Sequence, residues 1–149
     1  MQKTERKIEV LFLCTGNSCR SQMAEGWARH LRGDELHARS AGTNPDRIDP
    51  RAVRVMREVG VDISDQQSTN LEGIPLGDID LVVTLCDGAR EACPAFHGDA
   101  RVVHRSFDDP PRLAEDAKGE KEALEHYRRV RDQIRKFVAG LAAAPGPRC

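Results

Sequence analysis

The apolar run IEVLFL (8–13) stops at a polar, glycine-containing turn, CTGNSCRS, and a helical pattern starts immediately after it. Such a short unbroken apolar run reads as a strand buried on both faces, as in the interior of a covered parallel sheet. The segment that follows places Met23, Trp27, Ala28 and Leu31 on one stripe, so RSQMAEGWARHLR (20–32) reads as an amphipathic helix stopped by Gly33. A strand feeding a helix through a tight loop is the start of a parallel, layered arrangement.

The same alternation continues along the chain. LHARSAG (36–42) reads as a short strand. DPRAVRVMREVG (49–60) reads as a helix with Asp49 as cap, Pro50 in its first turn, Val53, Met56 and Val59 facing inward, and Gly60 at its end. DIDLVVTLC (78–86) is a second strong buried strand, and ARVVHRSF (100–107) a weaker one. A long helix is expected from about 118 to 143, its inner face marked by Ala123, Leu124, Tyr127, Val130, Ile134, Phe137, Val138 and Leu141. These elements predict a single α/β domain over residues 1–149, with a central parallel four-stranded sheet, helices on both faces and a mobile tail over 144–149.

Charged residues make up 32% of the chain with a net charge of −1, which gives no electrostatic reason to expect nucleic acid or an anionic membrane. No apolar run approaches the roughly 20 residues of a membrane span, and the charged start MQKTERKIEV lacks the apolar stretch of a signal peptide. A cytoplasmic monomer is expected. Cys14, Cys19, Cys86, Cys93 and Cys149 are an odd set for a disulfide framework. No C-x2-C pair exists, and His30, His37, His97, His104 and His126 are scattered, so zinc is not indicated. Reactive or redox thiols remain.

Cys14 and Arg20 form a C-x5-R pattern between the first strand and the first helix. A loop of this length can wrap the amides of Thr15, Gly16, Asn17, Ser18, Cys19 and Arg20 around one tetrahedral oxyanion, at a helix N-terminus that favours negative charge. Gly16 would permit unusual backbone angles, Asn17 tolerates a left-handed conformation, and Arg20 could hold two oxygens at once. The same positive environment favours a thiolate at Cys14, and Ser21 could donate to its sulfur. The bland alternative is a buried cysteine in an ordinary turn. Cys19 should point away from the anion. The sequence has none of the GK[ST] ending of a Walker loop.

VLFLCTGNSCRSQMAEGW resembles the active-site loop and first helix of the thioredoxin-coupled arsenate reductases, which share the fold of the low-molecular-weight protein tyrosine phosphatases. The resemblance continues through SAGT, VDIS, DLVVTLCD, CP and FDDP. It implies arsenate as substrate, thioredoxin as reductant and no tightly bound cofactor. It also implies a relay in which Cys86 attacks the arsenic-bearing sulfur of Cys14 and Cys93 then opens the Cys14–Cys86 disulfide, leaving Cys86–Cys93. Asp109, before Pro110, would be the general acid, and Asp108 a structural or solvated carboxylate; both could instead cap a turn. Some members of the family bind potassium through residues matching Asn17, Glu25 and Ser40, but the fourth position falls near the neutral Thr69 and Asn70. Cys149 matches no family position. The loop alone leaves a phosphatase open, needing only Cys14, Arg20 and Asp109. However, Pro111 and Arg112 stand where such phosphatases usually place tyrosine, and the chain has only one Tyr, one Trp and four Phe.

Overall fold

The computed structural model describes residues 7–85 and 100–141. Four strands, β1 (Ile8–Cys14), β2 (Leu36–Gly42), β3 (Leu81–Thr84) and β4 (Arg101–His104), form one parallel sheet in the order β2-β1-β3-β4. The helices are α1 (Arg20–Arg32), α2 (Pro50–Glu58), α3 (Pro110–Glu115) and α4 (Glu120–Ala139). Two short 3₁₀ turns, Leu71–Gly73 and Leu76–Asp78, precede β3.

β1 shows why its run is unbroken. Val10 and Phe12 join a core built with Met23 and Trp27 of α1, Val55 and Met56 of α2, and Tyr127, Val130 and Ile134 of α4. Leu11 and Leu13 point to the opposite face, where Ile79 and Val82 pack with Leu71 and Ile74 of the 3₁₀ segment. The two sets alternate with the period of a strand, and each fully buried aliphatic or aromatic side chain stabilises by about 1.5–3 kcal/mol. The sheet is therefore covered on both faces, by α1, α2 and α4 on one and by the 3₁₀ turns on the other among the described residues. The Trp27 indole donates to the Arg131 carbonyl at 3.1 Å, fixing α1 against α4.

The chain leaves β1 toward β2 on one side, then returns to β3 on the other side. That reversal opens a crevice at the carboxyl ends of β1 and β3, the usual binding position of an open parallel sheet. Cys14 ends β1 there. Leu13 pairs with Thr84, so Leu85 lies level with Cys14, and its N–H donates to the Leu13 carbonyl at 2.9 Å.

The third and fourth strands are shorter than expected. Residues 78–80 are not strand: the 3₁₀ turn ends at Asp78, and the Asp80 carboxylate accepts the Glu9 N–H at 2.8 Å. β4 ends at His104 rather than 107. Helix α3 was not expected, because DDPPR reads as a rigid turn. Prolines are nevertheless favoured in a first helical turn, where their missing N–H has no intrahelical partner to lose. Helix α2 ends where expected. The Val61 and Gly60 amides donate to the Met56 and Arg57 carbonyls, and Gly60 takes φ +83°. Gly60→Ala should lower stability by about 1–2 kcal/mol, read from the urea midpoint, because its Cβ meets open space and the penalty is purely conformational.

Candidate active site

The loop from Cys14 to Arg20 is held by its carbonyls. Thr15 O accepts from Asn44 N at 2.8 Å, Gly16 O from Asp46 N at 2.7 Å and Ser18 O from Asp49 N at 2.8 Å. Asn17 O accepts from the Gln22 side chain at 2.9 Å, and Cys19 O from Met23 N at 2.9 Å. Five successive carbonyls thus bond to groups around the outside of the loop. In a trans peptide the following N–H points the opposite way, so the amides of residues 16–20 face the interior of the arc. Together with the start of α1 they form a concave array of donors suited to an anion.

Asn17 makes this bend possible. It is fully buried and takes φ +47°, a left-handed conformation that asparagine tolerates better than most residues. Its Oδ1 accepts the Thr69 N–H at 2.7 Å, and its Nδ2 donates to Ser21 Oγ at 2.8 Å. Gly16, by contrast, has no left-handed φ, and a Cβ there would meet only Ser18 Oγ at 3.5 Å. The expected roles of the two residues are therefore divided differently: the strained angle belongs to Asn17. The glycine demanded by space is Gly42, where a Cβ would lie 2.5 Å from Thr15 O and 3.0 Å from Asn17 N.

Cys14 and Cys19 are equally buried, at 4% exposure each, but belong to different environments. Cys14 closes the strand at the mouth of the loop. Cys19 lies within the α1–α4 core, and burial followed by the Asp49 charge pushes its thiol well above the usual range. It is a neutral thiol packed in the core.

Arg20 donates from Nη1 to the Phe107 carbonyl at 2.8 Å, and its Nη2 lies 3.7 Å from Asp109 Oδ2. Phe107 N in turn donates to Leu85 O at 3.2 Å, so the guanidinium is registered to the end of β3. Asp109 sits at the N-cap position of α3, yet its side chain makes no capping bond and is 41% exposed. Its neighbour Asp108 instead takes Arg129 at 3.0 Å on the surface. The loop, Arg20 and Asp109 are therefore brought together. Cys86, Cys93 and Cys149 lie outside the described residues.

Gln22, Gln66 and Ser68 carry structural roles that pattern reading missed. Gln22 Nε2 bridges Asn17 O and Gln67 O, and Gln66 Nε2 donates to Gln22 Oε1 at 2.8 Å. Ser68 Oγ reaches Gly16 O at 3.4 Å. A glutamine completely buried on a helix is the signal that could have exposed this network.

The residues matched to a potassium site are partnered within the protein. Asn17 Oδ1 is occupied by Thr69, and one Glu25 oxygen accepts from Ser40 Oγ at 2.6 Å. The other Glu25 oxygen pairs with Arg29, so a protein cation already faces this carboxylate. Burial raises the Glu25 pKa against the lowering effect of both partners.

Residues 9–145 match the family described as low molecular weight phosphotyrosine protein phosphatase. An arsenate reductase of Halalkalibacterium halodurans is 48% identical over 136 residues, covering 91% of this chain and 96% of the relative. A solved arsenate reductase in the oxidized state superposes with a TM-score of 0.70 at 34% identity, covering 87% of this chain and 92% of that one. Another, in the phosphate binding state, gives 0.67 at 32% identity over 88% and 93% of the two chains.

Gly42→Ala should push the Thr15–Asn17 arc out of place. The expected result is about 1–3 kcal/mol of lost stability and at least about tenfold weaker binding of inorganic phosphate, measured by calorimetry. Unchanged phosphate affinity would show that the arc does not depend on this close approach.

Proposed function

The chain belongs to the low molecular weight phosphotyrosine protein phosphatase family, and on that premise we propose that it reduces arsenate to arsenite by thiol chemistry at the Cys14–Arg20 loop. The observation behind this reading is the outward anchoring of the five carbonyls, which turns the amides of 16–20 toward one oxyanion beside the Cys14 sulfur. The 48% identity to an arsenate reductase over nearly its full length supports the same substrate.

Arsenate binds in the amide arc with Arg20 on its oxygens, and the Cys14 thiolate attacks arsenic. An As–O bond breaks, and Asp109 protonates the departing oxygen, which leaves as water. Asp109 is placed for this role: its carboxylate lies beside the loop, 3.7 Å from Arg20 Nη2, and is not spent on capping α3. Ser21 Oγ accepts from Asn17, which leaves its hydrogen to stabilise the Cys14 sulfur.

Reduction needs two electrons, and they come from a second thiolate. Cys86 attacks the Cys14 sulfur, an S–S bond forms, and the As–S bonding pair stays on arsenic, which leaves as arsenite. Cys86 follows directly on Leu85, the residue level with Cys14, which favours it as the attacking thiol. Cys93 then attacks Cys86, releasing the Cys14 thiolate and forming Cys86–Cys93. An external dithiol, with thioredoxin the fitting class, takes over that disulfide. Within this reading the protein is a cytoplasmic monomer. Separately, no helix among the described residues is long and apolar enough to cross a membrane.

A phosphatase would use only Cys14, Arg20 and Asp109, and the family leaves that chemistry open. Against an aryl substrate stands the groove of about 380 Å³ beside the loop. Among the described residues it is lined by Ser18, Asp46, Arg47, Ile48, Asp49, Pro50 and Pro111, none of them aromatic.

The relay is tested by Cys86→Ser and Cys93→Ser. Each should abolish steady-state arsenate reduction with thioredoxin, by about 10³-fold or more, while phosphate binding stays near the wild-type value. Undiminished turnover in both variants would exclude the relay, and aryl phosphate hydrolysis outpacing arsenate reduction would favour the phosphatase.

A further inference from the structure

Of the donors that hold the loop, Asp49 N–H is the one attached to a helix cap. Asp49 Oδ1 accepts the Arg51 N–H at 2.9 Å and so starts α2. Its other oxygen, Oδ2, accepts the phenol of Tyr127, from the middle of α4. Its N–H is bonded to Ser18 O at 2.8 Å. A continuous chain therefore runs from α4 through one carboxylate to the Ser18–Cys19 peptide, whose N–H lies on the inner side of the arc.

Tyr127 is suited to hold such a point. It is 1% exposed within the central core, among Val130 and Ile134 of its own helix and the α1 and α2 side chains. Burial, then the Asp49 hydrogen bond, raises its pKa, so the phenol remains a donor. The Arg51 guanidinium lies 6.0 Å from its ring centroid and is itself fixed by Glu120 at 2.9 Å.

We propose that Tyr127, acting through Asp49, is a positioning residue of the oxyanion loop: it fixes the Ser18–Cys19 peptide and so aims the Cys19 N–H at the anion. This rests on the reading that residues 14–20 bind an oxyanion. It differs from a simple capping role, in which Asp49 would serve α2 and Tyr127 would only fill the core.

The test uses the reduced full-length protein and inorganic phosphate, with the dissociation constant measured by calorimetry. Tyr127→Phe removes one hydroxyl and almost no volume, and should weaken phosphate binding about tenfold. Asp49→Ser keeps a good helix cap but loses the reach to Tyr127 and a negative charge. Charge loss alone would tighten anion binding, whereas loss of the clamp weakens it by a factor like that of Tyr127→Phe. The double variant should bind no more weakly than either single one, since both break the same link. Ile134→Val, a destabilising change on the same helix away from the loop, should leave the affinity unchanged. A Tyr127→Phe affinity within about twofold of wild type, or tighter binding by Asp49→Ser, would overturn the proposal. A wild-type protein that binds no phosphate at millimolar concentration would overturn the oxyanion reading along with it.

Discussion

The direction of five peptide carbonyls, from Thr15 to Cys19, is the constraint on which the site depends. Each is bonded to a group around the loop, and planarity of the peptide converts that anchoring into an inward row of amides. The donors come from helix α1 and from the segment joining β2 to α2. The loop is therefore shaped less by its own residues than by what surrounds it. Preorganised donors of this kind stabilise charge without reorganising at the moment of reaction.

The fold supplies the position and the loop the chemistry. Strand order reverses at β1, so the carboxyl ends of β1 and β3 border one crevice, and sequentially distant segments meet there. Arg20 is registered to the end of β3 through Phe107, and Asp109 arrives from the turn that starts α3. The same edge carries both the anion loop and the residue preceding Cys86. A thiol that traps an oxyanion can serve hydrolysis or reduction. In the proposed relay the resolving thiols Cys86 and Cys93 make the difference and supply the electrons.

Much of this was legible in the sequence because periodicity reports burial directly. The unbroken run at β1 and the stripes of α1 and α4 follow from which faces must be covered. On α2 the buried face is Ala52, Val55 and Met56, whereas Val59, expected inward, lies past the helix end and is exposed. Short elements were less legible: residues 78–80 look like strand by composition but are bonded as a turn, and α3 is hidden by its prolines. In the site, residue type and spacing pointed to Cys14 and Arg20 and the family resemblance to Asp109, whereas the supports did not show. Gly42 is required by the backbone of Thr15, 27 residues away from it in sequence; Gln22 looks like an ordinary polar helix residue until its burial is known. Such roles depend on long-range contacts, which no local pattern encodes. The left-handed angle fell on Asn17 rather than Gly16 because Asn17 alone has a side chain that Thr69 and Ser21 can hold.

The most direct test is to map disulfides by mass spectrometry after one turnover of the reduced protein with arsenate and no external reductant. The account predicts one arsenite released per chain and a Cys86–Cys93 bond, with Cys14 and Cys19 recovered as free thiols. Arsenite release with both Cys86 and Cys93 still reduced, or no arsenite at all from a protein that binds the anion, would contradict it.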